Sequence, residues 1–133
     1  MQGFCKTANI TVVKLSHDEL RLFAGGVDLA RSRSDVHRAV QNLYVILQDA
    51  IDLRKPICVQ SGRCCHFDEF GHRLFVTTME MATFLSQLDR HCNFSGNVSH
   101  GGCPFQIDKL CSVHLIRPLG CRIFFCDETA AEW

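Results

Sequence analysis

Two separated runs of cysteine constrain this chain more than anything else in it. The first reads Cys58-Val-Gln-Ser-Gly-Arg-Cys64-Cys65-His66. The second reads Cys103-Pro-Phe, then Cys111-Ser-Val-His114-Leu-Ile-Arg117-Pro118, then Cys121-Arg122, with Cys126 after a short apolar segment. A thiophilic metal needs several thiolates converging on a point roughly 2.3 Å from each sulfur, which no single helix or strand can supply. Ligands must then come from turns in both runs, and Gly62, Pro104 and Pro118 stand beside the cysteines as turn-forming residues. Cys58, Cys64, Cys65, Cys103, Cys111 and Cys121 are therefore the candidate ligands, with Cys126, His66 and His114 as possible additions. Arg63, Arg117 and Arg122 put positive charge close by in sequence, which lowers thiol pKa values and offsets the charge of a thiolate-rich site.

The compartment decides what so many cysteines mean. The chain has 133 residues, nine of them cysteine, an odd number that leaves at least one thiol outside any full set of disulfides. Met1 to Lys14 holds no apolar run of the length a secretion signal needs. No stretch approaches the roughly 20 apolar residues of a membrane span. The expected location is the cytoplasm, where thiols stay reduced and clustered cysteines point to metal or redox chemistry. Formal net charge is zero and the pI near 7. A nucleic-acid binder carries a positive excess for phosphate contacts, so no nucleic-acid partner is expected, and none at a membrane.

Several chemistries lack their signatures. No C-x-x-C occurs, which argues against a thioredoxin-like pair and against a zinc ribbon built on paired knuckles. The cysteine spacing of ferredoxins is absent. So are a dinucleotide fingerprint, a P-loop and H-E-x-x-H, as well as the C-x3-C-x2-C run of a radical iron–sulfur enzyme.

The rest of the chain reads as scaffold. The expected fold is one small α+β domain over residues 1–133, with two or three helices, short strands or a hairpin, and irregular loops tied by the cysteine site. Residues 1–54 form a helical scaffold and about 55–127 the cysteine region. Ile10–Val13 is a possible strand. Ser16 with Glu19 forms a capping box that starts a helix through Leu20 and Phe23, ended by Gly25 and Gly26. Ser34 caps a second helix whose apolar face is Val36, Val40, Leu43, Leu47 and Ala50, stopped by Pro56. Phe67–Gly71 reads as a turn between two short strands, the second being Arg73–Val76. Thr77 and Glu80 form another capping box, opening a helix with Met81, Phe84, Leu85 and Leu88 on its apolar face. Asn93–Gly102 is a loop and Ile123–Phe125 a short buried strand.

The ordered combination Cys58…Gly62-x-Cys64-Cys65, then Leu74-Phe-Val-Thr77 with Glu80, then Cys103-Pro-Phe…Cys111-x-x-His114-x-x-Arg117-Pro118-x-x-Cys121-Arg122 resembles the YkgJ-type cysteine-cluster family. The resemblance spans roughly residues 55 to 127. In this chain Ser61 stands where many relatives have a further cysteine. The resemblance implies a zinc- or iron-chelating domain, with a related arrangement in flagellin lysine methylase proteins. Three functions are compatible with the sequence: a metal-binding module, a metal-dependent enzyme, and a thiol redox sensor using the adjacent Cys64 and Cys65. For the cofactor, an iron–sulfur cluster is expected ahead of a zinc or iron ion, mainly on the chemistry that the resemblance implies.

Overall fold

The computed structural model describes residues 15–71, 73–91 and 102–126. The possible strand at Ile10–Val13 lies outside these residues, as do Cys5, Cys92 and nearly all of the Asn93–Gly102 loop. Three long helices, α1 (His17–Arg31), α2 (Ser34–Arg54) and α4 (Thr78–His91), make the scaffold. Between them lie a short 3-10 turn (Arg63–Cys65) and the single-turn helix α3 (Phe67–Phe70). A two-stranded antiparallel sheet, β1 (Gln106–Ile107) and β2 (Leu110–Cys111), and the short helix α5 (Leu119–Arg122) complete a small α+β domain. Among the described residues no helix is long and apolar enough to cross a membrane.

Both capping boxes form. Ser16 Oγ accepts from the Glu19 amide at 3.3 Å, and the Glu19 carboxylate accepts from the Ser16 amide at 2.7 Å. At α4, Glu80 Oε2 accepts from the Thr77 amide at 3.2 Å and from its hydroxyl at 3.0 Å. The glycines do not end α1, which continues through Gly25 and Gly26 to Arg31. The reason is tertiary: α1 packs on α4, and that packing carries the helix through both glycines, a β-carbon on Gly26 making only an ordinary contact 3.4 Å from Thr78 Cγ2. Ser34 is the first residue of α2 and not its cap. Arg33 occupies the cap position without a side-chain cap bond, and its Nε donates to Asp35 at 2.8 Å. The end of α2 falls as expected, with Lys55 in the left-handed region before Pro56.

The apolar face of α2 is rotated from the expected one. Val40 is buried and Val36 and Leu47 partly so, but Leu43 is 47% exposed and Ala50 lies on the surface. Tyr44 turns inward in place of Leu43, because its hydroxyl finds Glu80 on α4. Phe67–Gly71, expected as a turn between strands, is a single helical turn ended by Gly71 at φ 66°, a left-handed position that favours glycine. The strands expected at Arg73–Val76 and Ile123–Phe125 do not form. Arg73–Val76 alternates between outward and inward residues, as a strand would, yet no neighbouring strand pairs with it among the described residues. Ile123–Phe125 is not a buried strand: Ile123 caps α5 and is 51% exposed.

The sheet lies instead between Cys103 and Cys111, pairing Gln106 with Cys111 and Ile107 with Leu110. Its two connecting residues, Asp108 and Lys109, both have positive φ, at 48° and 67°. That is the twist a two-residue hairpin needs, supplied here without the glycine that usually signals it.

A small hydrophobic core of Phe84, Val113 and Ile116 sits under this hairpin, flanked by Met81, Leu85, Leu88, Phe105 and Cys111. Phe84 and Phe105 meet edge to face with centroids 5.2 Å apart, a favoured aromatic geometry.

Candidate metal centre

The two cysteine runs, far apart in sequence, meet at their backbones. The Cys103 amide donates to the Cys65 carbonyl at 2.8 Å. Gln106 Nε2 donates to the Gly62 carbonyl at 3.1 Å. Gly62 makes this junction possible. It sits at φ 76°, and a β-carbon there would lie 2.6 Å from Gln106 Nε2 and 3.2 Å from the Lys109 carbonyl. The turn then delivers Cys64 and Cys65 on the 3-10 segment, with their sulfurs 3.9 Å apart.

The result is a cavity of about 150 Å³ whose wall includes Cys64, Cys65, Cys103, Cys111 and Cys121. Met81, Phe84, Phe105 and Val113 form part of its apolar side, so the wall of the site is also the edge of the core. Arg117 and Pro118 close it from the loop between β2 and α5.

The remaining candidates are placed elsewhere. Cys58 is exposed and is not part of the cavity wall. Cys126 lies 3.0 Å from the Ser61 hydroxyl, outside the wall. His66 Nδ1 is 3.3 Å from Glu69 Oε2, and its ring stands edge-on to Phe70. His114 is on the surface, and burial of its ring together with Arg117 and Arg122 lowers its pKa.

The thiols influence one another strongly. Hydrogen bonds to Cys103 and to Cys64, with burial added, raise the pKa of Cys65 far above the ordinary thiol value. The bond from Cys65 pulls Cys103 down to about 7. Burial and neighbouring cysteines push Cys121 up to about 12, and burial raises Cys111, while Arg117 acts in the opposite direction on both. Crowded thiols in an apolar pocket resist becoming several bare thiolates, because like charges in poor solvent repel. A cation in their midst would reverse that balance.

Among the described residues no three Cys, His, Asp or Glu side chains close to the spacing of a single-ion site. The Cys64–Cys65 separation of 3.9 Å is close to the ~3.8 Å edge of a tetrahedral zinc–thiolate site. The five cysteines share the wall of one cavity. That space has room for several water molecules, each needing roughly 10–15 Å³.

Sequence reasoning named the cavity cysteines and the arginines but missed the support behind them. Glu80, read only as half of a capping box, is 8% exposed and also accepts from Tyr44 Oη at 3.0 Å and from the Leu119 amide at 2.9 Å. It therefore fixes α5, which carries Cys121. The signal present in sequence was the box alone, since its second oxygen is engaged by residues far away. No protein-family model, no curated protein and no solved structure matches this chain.

Proposed function

We propose that this is a cytoplasmic metal protein in which Cys64, Cys65, Cys103, Cys111 and Cys121 supply the ligands of an iron–sulfur cluster. The observation that carries the reading is that five thiols, drawn from both cysteine runs, line one cavity. The donor chemistry fits: thiolates hold both zinc and iron–sulfur clusters, four at a time. The choice of a cluster over a single ion rests on the chemistry that the YkgJ-type resemblance implies, since either takes four thiolates. Arg117, part of the cavity wall, adds a positive charge beside the thiols. The ordered cysteine pattern supports kinship with the YkgJ-type family.

Once bound, a cluster would supply electron transfer or a structural cross-link. The chain's own residues do the rest. The Gly62 turn and the Cys65–Cys103 backbone bond bring the two runs together, and Phe84, Phe105 and Val113 keep water from one side. The core is thin, with Val27, Val40, Cys65, Ala82, Phe84, Val113 and Ile116 its buried apolar residues among those described. A centre joining the two runs would add its binding free energy to folding.

The test is purification without oxygen, with iron, acid-labile sulfide and zinc measured together. A brown protein with iron and sulfide supports the reading. Stoichiometric zinc in a colourless protein would replace the cluster with a zinc site. A metal-free protein whose Cys64 and Cys65 are oxidised to a disulfide would favour the thiol redox reading.

A further inference from the structure

Helix α2 is apolar on two sides, and the fold covers only one of them. Val40, Tyr44 and Leu47 lie on the inner side, buried or partly so, and Tyr44 meets Glu80 on α4. A second set, Val36, Ala39, Leu43, Ile46, Ala50 and Leu53, recurs at alternating intervals of three and four residues. Val36 is partly buried, but the other five are exposed, Ile46 by 67% and Leu53 by 85%. Single exposed apolar residues are ordinary, whereas a continuous stripe marks an interaction surface. The helix has 21 residues, so the stripe runs for about 30 Å.

The period defines the shape of what covers it. Alternating intervals of three and four make the seam of a coiled coil, which takes another helix alongside over its whole length. The α2 helix complements itself. When two copies run antiparallel, Leu43 of each faces Ile46 of the other, Ala39 faces Ala50, and Val36 faces Leu53. Large residues meet large ones and small meet small, with no seam position left over. Charge selects this direction. Arg38, on the flank of the stripe, comes within one helical turn of Asp49 and Asp52 of the second copy, twice by symmetry. Parallel helices would set Arg38 beside Arg38 and Asp49 beside Asp49, and like charges flanking a seam disfavour pairing. The formal net charge of zero leaves no overall repulsion between copies.

We infer that two copies of this chain associate by antiparallel pairing of their α2 helices along the stripe from Val36 to Leu53. The interface has two-fold symmetry, the same patch serving on both copies. A strip about 30 Å long and one helix, about 10 Å, wide is smaller than the roughly 800 Å² per partner of a standard interface, so the dimer is reversible. The cysteine cavity has no α2 residue in its wall, so pairing does not depend on what the cysteines hold.

The experiment is sedimentation velocity on the full chain over a concentration series, with reductant present so that the exposed Cys58 forms no cross-link. The wild type is expected to pass from monomer to dimer. Ile46→Glu and Leu53→Lys should each weaken dimerisation by more than about tenfold, because each places an unpaired charge in the seam. Circular dichroism should show both variants as helical as the wild type, since both positions are exposed in the monomer. Direction is read by nuclear Overhauser contacts in a mixture of differently labelled copies. Contacts between the Ala39 and Ala50 methyls are expected. Within one helix these residues stand about 16 Å apart, too far for such a contact. Wild type that stays monomeric at every concentration overturns the inference. So does a dimer that persists in both variants, or one with Ala39 against Ala39, the mark of parallel helices.

Discussion

Tyr44 joins two charged residues that never touch: its hydroxyl donates to Glu80 at 3.0 Å, and its ring carries the Arg122 guanidinium 4.2 Å from the centroid. Burial and the Glu80 contact push the Tyr44 pKa well above that of a free tyrosine, so it remains a donor at any ordinary pH. Through Tyr44 the scaffold helix α2 reaches both the start of α4 and the end of α5, the helix that carries Cys121. Tyr44→Phe keeps the ring and removes the bond to Glu80. It should lower stability by roughly 1 kcal/mol, measured by urea unfolding, without loss of bound metal.

Glu80 should make stability depend on acid pH. Burial raises its pKa, but hydrogen bonds from Leu119, Thr77 and Tyr44 outweigh this and hold it below the ordinary carboxylate value. A group whose folded pKa is lowered contributes stability above its unfolded pKa, here about 4.5, and loses it as pH falls through the folded value. Glu80→Gln should therefore cost about 1–3 kcal/mol at pH 7. The gap between variant and wild type should narrow as the pH is taken below about 4.5. Equal losses at pH 7 and pH 3 would show that the carboxylate charge is irrelevant.

The cysteines should divide by location. Cys65→Ser and Cys121→Ser should reduce metal content and melting temperature together, because binding energy and folding energy are then shared. Cys58→Ser should change neither, since Cys58 is exposed and apart from the cavity. Iodoacetamide and mass spectrometry offer an independent check: among the described cysteines Cys58 should be alkylated first, with or without metal. Loss of metal in Cys58→Ser would place that residue in the ligand set and require the segment before Gly62 to move.

Leu43 and Phe84 should separate surface from core. Leu43→Ala should cost under about 1 kcal/mol because the side chain is half exposed. Phe84→Ala should cost roughly 3–5 kcal/mol, since Phe84 is buried, packs on Phe105 and lines the site. Chemical denaturation of the two variants side by side measures the contrast.

Gly62→Ala should be harmful out of proportion to its size. The residue sits at φ 76° and a β-carbon would meet Gln106 and the Lys109 carbonyl. Strain and displacement together should cost about 1–3 kcal/mol. The variant should also bind less metal, because this turn presents Cys64 and Cys65. Gly71→Ala is the control: it has positive φ as well, but nothing lies within 4 Å of the added carbon.

What could be read from the sequence was local. The capping boxes at Ser16 and Thr77 formed because each is satisfied within four residues. The period of α4 placed Phe84 and Leu88 at the core for the same reason, and the cysteine spacing separated two donor-bearing turns. What failed depended on partners distant in the chain. Gly25 and Gly26 read as a helix stop, but packing of α1 on α4 carries the helix through them. Leu43 fitted the apolar period of α2, yet Tyr44 faces inward because Glu80 waits there. Arg73–Val76 has the alternation of a strand, but a strand requires a neighbour, and pairing is a property of the fold. The hairpin at Asp108 and Lys109 carries no glycine to announce it. The sequence by itself determined which side chains could bind a metal, since ligand chemistry belongs to residue type. Only the tertiary structure decided which of them share a cavity, because that depends on one backbone bond between Cys65 and Cys103 and on the absence of a β-carbon at Gly62.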